Sequence, residues 1–334
     1  MSARIRPATG AGGPAIDEAA RLLAQGELVA FPTETVYGLG ADASNPAALA
    51  RLFEAKRRPA DHPVIVHVTG LDSALRWSAS MPEGARALAE RFWPGPLTLV
   101  VPRAPQVPDA VTGGQPAVGL RAPSHPVARA LLEAFGGGIA APSANRFGHV
   151  SPTTARHVAD DLGDAVALIL DGGPCDFGIE STIVAFDGDV PLLLRPGAIG
   201  AEAIAGVLGR APVEGHAAAP RAPGTLASHY APRTPASRVA HAALRAEIAQ
   251  LAGRDERVGV LAFDAGAPAE FEGVWIAAPR DPQRYAHMLY ASLRRLDAAA
   301  VDVILIEDVP GGAAWSAVRD RLMRATAGID DDRD

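Results

Sequence analysis

The chain has 334 residues, of which 48% are hydrophobic, and a formal net charge of −7 at pH 7. This length and composition can bury more than one core, so we expect a folded protein of two domains, or at most three. A surface that is negative as a whole disfavours bulk nucleic-acid binding and restricts any anion site to a local group of cations.

Cysteine content and hydropathy indicate the compartment. Cys175 is the single cysteine, so the chain can form neither an intrachain disulfide nor a cysteine-rich zinc site, and a reducing compartment is its natural environment. No apolar run approaches the roughly 18 residues that span a bilayer. Residues 1–13 contain no apolar segment typical of a signal peptide. We therefore expect a cytoplasmic protein without a membrane role.

The chain begins with alternating helical and strand patterns. Residues 16–24 have helical spacing, residues 28–31 (LVAF) indicate a short buried strand, and residues 32–40 (PTETVYGLG) indicate a loop. Asn45 and Pro46 then suit the N-cap and the first position of a second helix, because a proline there loses no hydrogen bond. The proline of the following KRRP must end this helix.

Lys56 is the only lysine in a chain with 31 lysine and arginine residues. Leu49, Leu52 and Phe53 continue at helical spacing to Lys56, which places the lysine on the inward stripe of its helix. A compact ammonium group can follow a phosphate as a point charge, which a planar guanidinium cannot reproduce. We therefore predict that Lys56 points into a cleft. The alternative is a lysine that has survived by chance on a solvated face.

The next segment, PVIVHV, is apolar almost throughout, as expected for a strand that is covered on both faces. Alternation puts His67 on the same side as Ile65, where a histidine is either a satisfied core residue or a catalytic one. Further strands are predicted along the chain. They are residues 97–102, 117–123, 138–145, 166–173, 181–186 and 192–197. Together with the intervening helices, they predict an α/β domain built on a twisted, open, mixed sheet.

Polar or cationic residues stand at several of these strand ends. They are Thr33 to Thr35, Arg121, Ser143 with Asn145, and Arg195. Ligands of open α/β sheets bind outside the strand ends, so these side chains can converge on one site. Two serines, Ser124 and Ser151, precede helical patterns and also suit N-caps.

The amino-acid composition changes near residue 208. Residues 208–237 are rich in proline, lack apolar periodicity and are predicted to be a linker, which separates a domain over 1–207 from a second domain over 238–334. In the second domain a strand, a helix, a strand and a helix are expected, which indicates a smaller Rossmann-like α/β fold. The glycine-rich nucleotide motifs and the common zinc motifs are absent from the sequence.

Eight segments form an ordered set along the first domain. They are FPTETVYGLG, KRRP with HPVIVHV, RFWPGPLTLV, VGLRAP, APSAN, VSPTTA, GIESTIV and LLRPG. In this order they closely resemble the threonylcarbamoyl-AMP synthases, the YrdC/YwlC group. The long form of that family has a second domain behind a linker with a HYAP-like segment, and SHYAP stands here at residues 228–232.

This resemblance implies a YrdC-like catalytic domain and a nucleotidyltransferase activity. The family forms threonylcarbamoyl-AMP and diphosphate from L-threonine, bicarbonate or CO₂, and ATP with Mg²⁺. The product serves the threonylcarbamoyladenosine modification of the adenosine beside the anticodon of tRNA. A downstream threonylcarbamoyl transferase is therefore the expected partner, and contact with tRNA would be indirect. Because carbamate and ATP are both anions, catalysis can come from neutralisation and orientation without a covalent nucleophile.

Residue by residue, the resemblance implies three groups of contacts. Lys56 and Arg58 would hold the triphosphate as the catalytic cations. The other nucleotide contacts would be His62, Ser143, Ser151, Arg195, Tyr230 and the backbone at Ala117. Threonine would be bound by Thr35, His67, Arg121, Ser181 and the backbone at Ala141, and Arg121 is the natural partner of its carboxylate. No protein side chain is assigned to the metal.

Two positions depart from the family pattern, since Arg57 replaces the usual glycine and His62 replaces the usual asparagine. Simpler roles also exist for single residues: Ser151 suits a helix N-cap, and Arg195 suits a surface ion pair. Two other functions use related domains. One is binding of double-stranded RNA, which the net charge disfavours. The other is carbamoyl transfer, whose accessory regions this chain lacks.

Overall fold

The computed structural model describes residues 4–215, 219–263, 266–269 and 271–328, which divide into two compact units. The first unit runs to Phe147 and resumes over Ser151–Thr225. The second unit consists of Gly148–Val150 and the chain from Leu226 onward. The proline-rich segment is thus divided, because residues up to Thr225 belong to the first unit.

The first unit is built on one eleven-stranded sheet in the described part of the chain, with the order β1-β8-β2-β3-β7-β4-β6-β5-β9-β10-β11. The strands are β1 (Ile5–Pro7), β2 (Val29–Phe31), β3 (Gly38–Asp42), β4 (Ile65–His67), β5 (Leu97–Pro102), β6 (Ala117–Arg121), β7 (Ile139–Ala140), β8 (Leu168–Asp171), β9 (Thr182–Asp187), β10 (Val190–Arg195) and β11 (Val213–Glu214). The sheet contains both parallel and antiparallel pairs, so the predicted mixed sheet is confirmed.

Helices pack against the sheet through two main apolar clusters. The helices are α1 (Pro14–Ala24), α2 (Pro46–Lys56), α3 (Leu71–Ala74), α4 (Glu83–Phe92), α5 (Asp109–Thr112), α6 (Pro126–Phe135), α7 (Ala155–Leu162) and α8 (Ala201–Leu208). One cluster unites α1 and α6 with β2 and β8. The other, larger cluster takes in the buried faces of α2, α4 and α7. Burial of these apolar stripes fixes the sheet against its helices.

Strand register sets the geometry of the site. The parallel pair β4 and β6 places His67 beside Arg121, and the antiparallel pair β4 and β7 places His67 beside Ile139. His67 therefore lies in the centre of the sheet, between the strand that ends in Arg121 and the strand that leads into Ala141. His67 and Arg121 each lie in a strand that is hydrogen-bonded to a neighbouring strand on both sides, which limits the movement of their backbone.

Helix α2 begins and ends as the residue types dictate. The Asn45 side chain accepts hydrogen bonds from the backbone N–H groups of Ala47 and Ala48, at 3.0 and 3.3 Å, so the predicted N-cap is confirmed. At the other end Arg57 is the C-cap, with φ 51° in the left-handed region. Glycine favours this conformation because it has no Cβ, which accounts for the usual glycine at this position of the family pattern.

Three local predictions were wrong. The segment predicted to be a loop over 32–40 contains the first residues of β3, because its glycines accommodate a close approach to the Phe31 ring. The N-cap of α6 is His125, whose ring accepts from the Val127 N–H, and Ser124 lies one residue too early. The N-cap of α7 is Thr154, and Ser151 instead points its hydroxyl into the interior.

The second unit has a four-stranded, all-parallel sheet in the order β12-β15-β13-β14. Its strands are β12 (Ala236–Val239), β13 (Val258–Ala262), β14 (Val274–Ala277) and β15 (Val303–Glu307), and its helices are α9 (His241–Ala252), α10 (Pro282–Asp297) and α11 (Ser316–Ala325). The predicted smaller α/β fold is confirmed. Strands β12 and β14 and helix α9 escaped prediction. Strand β12 starts inside the proline-rich segment, and alanines separate the three buried apolar residues of α9, Leu244, Ile248 and Leu251.

Across the described ranges, none of the helices combines the length and the apolar character that crossing a membrane requires.

Arg57 generates a prediction about stability. A left-handed conformation costs a residue with a Cβ about 1 kcal/mol, whereas glycine adopts it freely, although glycine also gains entropy in the unfolded chain. We expect Arg57→Gly to stabilise the first unit by about 0.5 to 1 kcal/mol. Arg57→Ala is the control, since it removes the same exposed side chain and keeps the Cβ. Denaturant unfolding measures both, and an Arg57→Gly variant no more stable than Arg57→Ala would contradict this account.

Candidate active site

Arg121 is a buried cation of the first unit whose side chain is held by several neighbours. It ends β6 and is 4% exposed. Its Nη1 donates to Thr35 Oγ1 at 2.9 Å, its Nε donates to the Gly95 carbonyl at 3.4 Å, and its Nη2 lies 2.8 Å from Glu34 Oε1. Within the described residues, however, this Nη2 makes no hydrogen bond of acceptable geometry. A buried guanidinium is thus held by three neighbours and keeps donor capacity.

Glu34 and Thr33 support this arrangement from the loop before β3. Glu34 is 1% exposed, and its second oxygen accepts from the Ser124 N–H at 3.1 Å. Thr33 Oγ1 lies 2.8 Å from Thr35 Oγ1 and also accepts from the N–H groups of Thr35 and Val36. This threonine turn fixes the Thr35 hydroxyl against Arg121. A buried ion pair with further hydrogen bonds is rigid, and removal of one partner is costly.

His67 is buried beside Arg121 and packs edge-on against Phe31, with ring centroids 6.2 Å apart. Burial, reinforced by the positive charge of Arg121, lowers the pKa of His67 to about 3. The imidazole is therefore neutral at physiological pH and can accept or donate a single hydrogen bond without adding charge. Its Nδ1 atom has no hydrogen-bond partner among the described residues.

Ser181 and Arg195 form a second buried group. Ser181 Oγ lies 2.8 Å from Thr98 Oγ1 and accepts from Arg195 Nη2 at 3.1 Å. Arg195 also donates to the Ser181 carbonyl at 3.1 Å and to the Pro223 carbonyl at 2.9 Å. Arg195 is 3% exposed, so the surface ion pair considered from the sequence is wrong. The residues assigned to threonine and to the nucleotide thus share a hydrogen bond here.

Lys56 is buried, with 1% exposure, as predicted from its place on the inward stripe of α2. Its Nζ donates to the carbonyls of Ser143 and Asn145, both at 2.5 Å, and the Phe147 N–H donates back to the Lys56 carbonyl at 2.9 Å. Burial lowers the pKa of Lys56 well below its ordinary value, and the charge of Arg58 lowers it further. The end of α2 and the loop after β7 are thereby joined.

Arg58 and His62 surround the same loop. The Arg58 guanidinium lies 5.4 Å from the centre of the Phe147 ring, and its Nη2 donates to the Pro63 carbonyl at 2.8 Å. The His62 ring meets Phe147 edge-on at 5.2 Å. Burial, followed by the charge of Arg58, lowers the pKa of His62. Lys56, Arg58 and His62 therefore form one group around the Phe147 ring and backbone, and we call it the cationic group.

Ser151 is fully buried and donates its hydroxyl to Glu180 Oε1 at 2.5 Å. Glu180 is 6% exposed and directly precedes Ser181. The predicted nucleotide serine is therefore connected, through one carboxylate, to the Ser181 and Arg195 group.

Three predicted residues occupy other positions. Ala141 follows β7, and its N–H donates to the Ile65 carbonyl at 3.0 Å, next to His67. Ala117 begins β6, about 13 Å of strand away from Arg121, and is half-buried against the apolar cluster around Ile65. Tyr230 belongs to the second unit and is 1% exposed there.

Sequence reasoning assigned no role to Glu34 and Glu180. Both lie inside segments that had been singled out, FPTETVYGLG and GIESTIV. A buried carboxylate is rare unless it is paired, so an acidic residue amid apolar and hydroxyl residues was a usable signal. The described residues contain no group of three or more side chains suited to hold a metal ion.

The arrangement can bind anions and orient them. Buried cations stand at three places, Arg121, Arg195, and Lys56 with Arg58, and the described contacts of these residues include no activated nucleophile beside a base. Fixed positive charges in a region of low dielectric stabilise developing negative charge without reorganisation. Such a site suits a reaction between two anionic partners.

Comparison with known proteins shows the same two-part organisation. Residues 21–197 match a family described as Telomere recombination, and residues 199–327 match the Threonylcarbamoyl-AMP synthase, C-terminal domain. A threonylcarbamoyl-AMP synthase of Bacillus subtilis is 41% identical, with 94% of each chain covered, and one of Pyrococcus abyssi is 40% identical, with 92% of this chain and 93% of the relative covered. The crystal structure of P. abyssi Sua5 complexed with L-threonine superposes with a TM-score of 0.88 at 37% identity and covers 98% of both chains.

The low pKa of His67 predicts a specific pH dependence. A histidine with an ordinary pKa near 6.5 when unfolded, and about 3 when folded, binds its proton more readily in the unfolded chain. The stability that neutral His67 contributes is therefore present above pH 6.5 and is lost as the pH falls towards 3. Between pH 7 and pH 5, we expect the free energy of unfolding of wild type to fall by about 1 to 2 kcal/mol more than that of His67→Gln. Denaturant unfolding at both pH values measures the difference. An equal pH dependence in the two proteins would contradict a neutral, buried His67.

Proposed function

The chain belongs to the threonylcarbamoyl-AMP synthase family, and from that membership we propose that it is an L-threonylcarbamoyladenylate synthase. It joins L-threonine, bicarbonate or CO₂, and ATP into threonylcarbamoyl-AMP and releases diphosphate. The family match extends over both units, and the relatives cover more than nine-tenths of the chain. Double-stranded RNA binding and carbamoyl transfer, the other functions considered, are not favoured by these comparisons.

One observation of the site carries the proposal. The buried Nη2 of Arg121 lacks a well-formed hydrogen bond within the described residues, although Nη1 and Nε of the same guanidinium are engaged. The ion pair of Nη2 with Glu34 Oε1, at 2.8 Å, does not give this donor a well-formed hydrogen bond, so the guanidinium keeps donor capacity, and a carboxylate is the acceptor that matches it best. The carboxylate of an amino acid fits this position, with the Thr35 hydroxyl and the neutral His67 ring beside it.

The chemistry proceeds in two bond-forming steps. The amine nitrogen of threonine attacks the carbon of CO₂, or of bicarbonate with loss of water, and gives a carbamate after losing a proton. A carbamate oxygen then attacks the α-phosphorus of ATP as the bond to the bridging oxygen of diphosphate breaks. Cations that hold both partners in line lower the barrier by orientation and by neutralising charge.

Different residues bind threonine and the nucleotide. Arg121, Thr35, His67 and Ser181 bind and orient threonine. In the cationic group, Lys56 and Arg58 take the triphosphate, and the lowered pKa of Lys56 makes a polyanion the group that restores its charged form. Arg195 and Ser151, connected through Ser181 and Glu180, lie where the two substrates meet. Tyr230 and the backbone at Ala117 complete the nucleotide contacts that the family pattern implies.

Magnesium enters as part of the substrate, MgATP. Phosphate oxygens and water are the ligands that Mg²⁺ usually keeps in such sites, so the ion is held mainly by the nucleotide. A mixed anhydride of a carbamate and a phosphate hydrolyses readily, so a threonylcarbamoyl transferase must accept the product promptly, and contact with tRNA is indirect. The single cysteine, which is buried, suits work in the cytoplasm.

Omission of substrates tests the proposed function. We expect diphosphate release only when L-threonine, bicarbonate and MgATP are all present, since without threonine and bicarbonate there is no carbamate to attack the α-phosphorus. Diphosphate can be measured by a coupled assay while each component is left out in turn. Equal release without threonine would mean that the chain is an ATP pyrophosphohydrolase and would overturn the proposal.

Arg121→Lys tests the threonine subsite without leaving Glu34 unpaired. Lysine keeps the charge and loses the planar fork, so the bidentate contact with a carboxylate is lost. We expect the KM for threonine to rise by about tenfold or more, equivalent to about 1.4 kcal/mol, with a much smaller change in the KM for ATP. The control Arg103→Lys changes another arginine that pairs with a carboxylate, Asp109. A larger effect on ATP than on threonine would show that the two subsites are assigned the wrong way round.

A further inference from the structure

A cavity of about 250 Å³ lies within the first unit and is lined by none of the residues assigned to the substrates. Its walls come from four parts of the chain: the turn after β3, the segment from the end of β4 through α3, the loop after β5, and the residues that follow α6. Pockets for small molecules usually measure about 300 to 1,000 Å³ and combine apolar walls with a few polar groups. The cavity is slightly smaller, so it suits a ligand below drug size.

The cavity lies on the face of the sheet opposite His67. Val68, which lines it, continues β4, since its N–H donates to the Arg121 carbonyl at 2.9 Å. Successive side chains of a strand point to opposite faces, so Val68 and His67 diverge. Val68 and Trp77 accordingly pack in the larger apolar cluster, whereas Phe31, the ring against which His67 packs, belongs to the other. The cavity is therefore distinct from the proposed threonine subsite.

Trp77 forms a preformed wall of the cavity. Its N–H donates to the Ala74 carbonyl at 2.9 Å, and its carbonyl accepts from the Ala104 N–H at 3.0 Å, so its backbone is held on both sides. Gly138 lies directly against the indole, because a Cβ at this position would be 2.4 Å from a ring carbon. Gly136, the C-cap of α6, has φ 73° in the left-handed region, where glycine is favoured. This part of the wall is therefore bare backbone packed beside an indole ring.

Four polar groups of the cavity are available to a ligand. Within the described part of the chain, the Arg76 guanidinium forms neither a hydrogen bond nor an ion pair, and the Trp77 indole N–H and the Ser44 hydroxyl have no hydrogen-bond partner. Gln106 Nε2 donates to the Arg76 carbonyl at 2.7 Å, which leaves Gln106 Oε1 as an acceptor. None of the lining residues that the structure describes is acidic, so no carboxylate of the cavity wall neutralises Arg76.

We infer that this cavity binds a small organic carboxylate with an apolar, planar body. The planar guanidinium of Arg76 matches a carboxylate, and the indole N–H of Trp77 is a second donor. An apolar ring fills the space against Trp77 and Val68, because aromatic rings pack favourably against an indole. Inorganic phosphate would satisfy the donors and leave the apolar wall in contact with water. A neutral amide of the same shape would fill the space and leave Arg76 without an anion.

Phenylacetate is a probe with this chemistry, and the indole signals of the protein report where it binds. The full-length chain has four tryptophans, so its amide correlation spectrum contains four indole N–H signals, and Trp77→Phe identifies the signal that belongs to the cavity. We expect titration with phenylacetate to shift the Trp77 signal along a saturating curve. Phenylacetamide should bind at least about fivefold more weakly, because it lacks the charge.

Two matched arginine variants test the contact with the carboxylate. Arg76→Gln removes the charge of an exposed side chain, and Arg86→Gln is the control, since Arg86 is an exposed arginine of α4 outside the cavity. We expect Arg76→Gln to raise the Kd for phenylacetate about tenfold, as for loss of a charged hydrogen bond, and Arg86→Gln to match wild type. Saturating L-threonine should leave the titration unchanged, because none of the residues proposed to bind it lines the cavity.

Several results would overturn the inference. An unmoved Trp77 signal, or an equal Kd in wild type and Arg76→Gln, would show that the cavity does not take a carboxylate through Arg76. Inorganic phosphate that binds as tightly as phenylacetate would reduce the site to an unspecific anion contact, and displacement by L-threonine would place the probe in the threonine subsite. Failure to release diphosphate would overturn the proposed function alone, because the titration does not depend on turnover.

Discussion

The buried amine of Lys56 constrains the catalytic unit. Lys56 Nζ lies 2.5 Å from two main-chain carbonyls, those of Ser143 and Asn145, and the Phe147 N–H returns a hydrogen bond to the Lys56 carbonyl. These three bonds tie the end of α2 to the loop after β7. The desolvation of Lys56 and its proximity to Arg58 disfavour its charge, as the lowered pKa indicates. A site built in this way is electrostatically incomplete until an anion joins it.

The subsite proposed for threonine differs from this group in its charge balance. Arg121 is accompanied by the buried carboxylate of Glu34, and the neighbouring His67 is kept neutral, so little charge is left uncompensated. A site that is nearly neutral can discriminate by geometry, because the planar guanidinium of Arg121 donates two parallel hydrogen bonds that match a carboxylate. The two proposed subsites therefore differ in charge balance: the cationic group is suited to a polyanion, and the group around Arg121 is suited to selection by shape.

Much of this organisation could be predicted from residue types and spacing. The Asn45 cap, the inward position of Lys56, the buried strand that carries His67 and the smaller parallel domain all follow from local pattern, and the structure agrees. The partners of Ser151 and Arg195 could not be predicted. Ser151 has the local signature of an N-cap but bonds to Glu180, which is 29 residues away in sequence, and Arg195 is held by Ser181 and Pro223. Such long-range pairing depends on strand order, which no local pattern specifies.

The division of the chain into its two compact units could not be predicted from local sequence patterns either. A proline-rich composition predicts a linker, yet part of that segment packs with the first unit, while three residues of the APSANRFGHVSP loop belong to the second. Composition describes how stiff a segment is and says little about what it contacts.

The central claim is that the pKa of buried Lys56 stays lowered until an anion binds beside it. The most direct test is to measure proton uptake when MgATP binds. Calorimetric titration in two buffers of different ionisation enthalpy gives the number of protons that the complex gains. Because an anion raises the lowered pKa of Lys56, wild type should take up more protons than Lys56→Met, which has a side chain of similar shape and no charge. The same number of protons taken up by both proteins would contradict the claim that the pKa of Lys56 is lowered until the nucleotide binds.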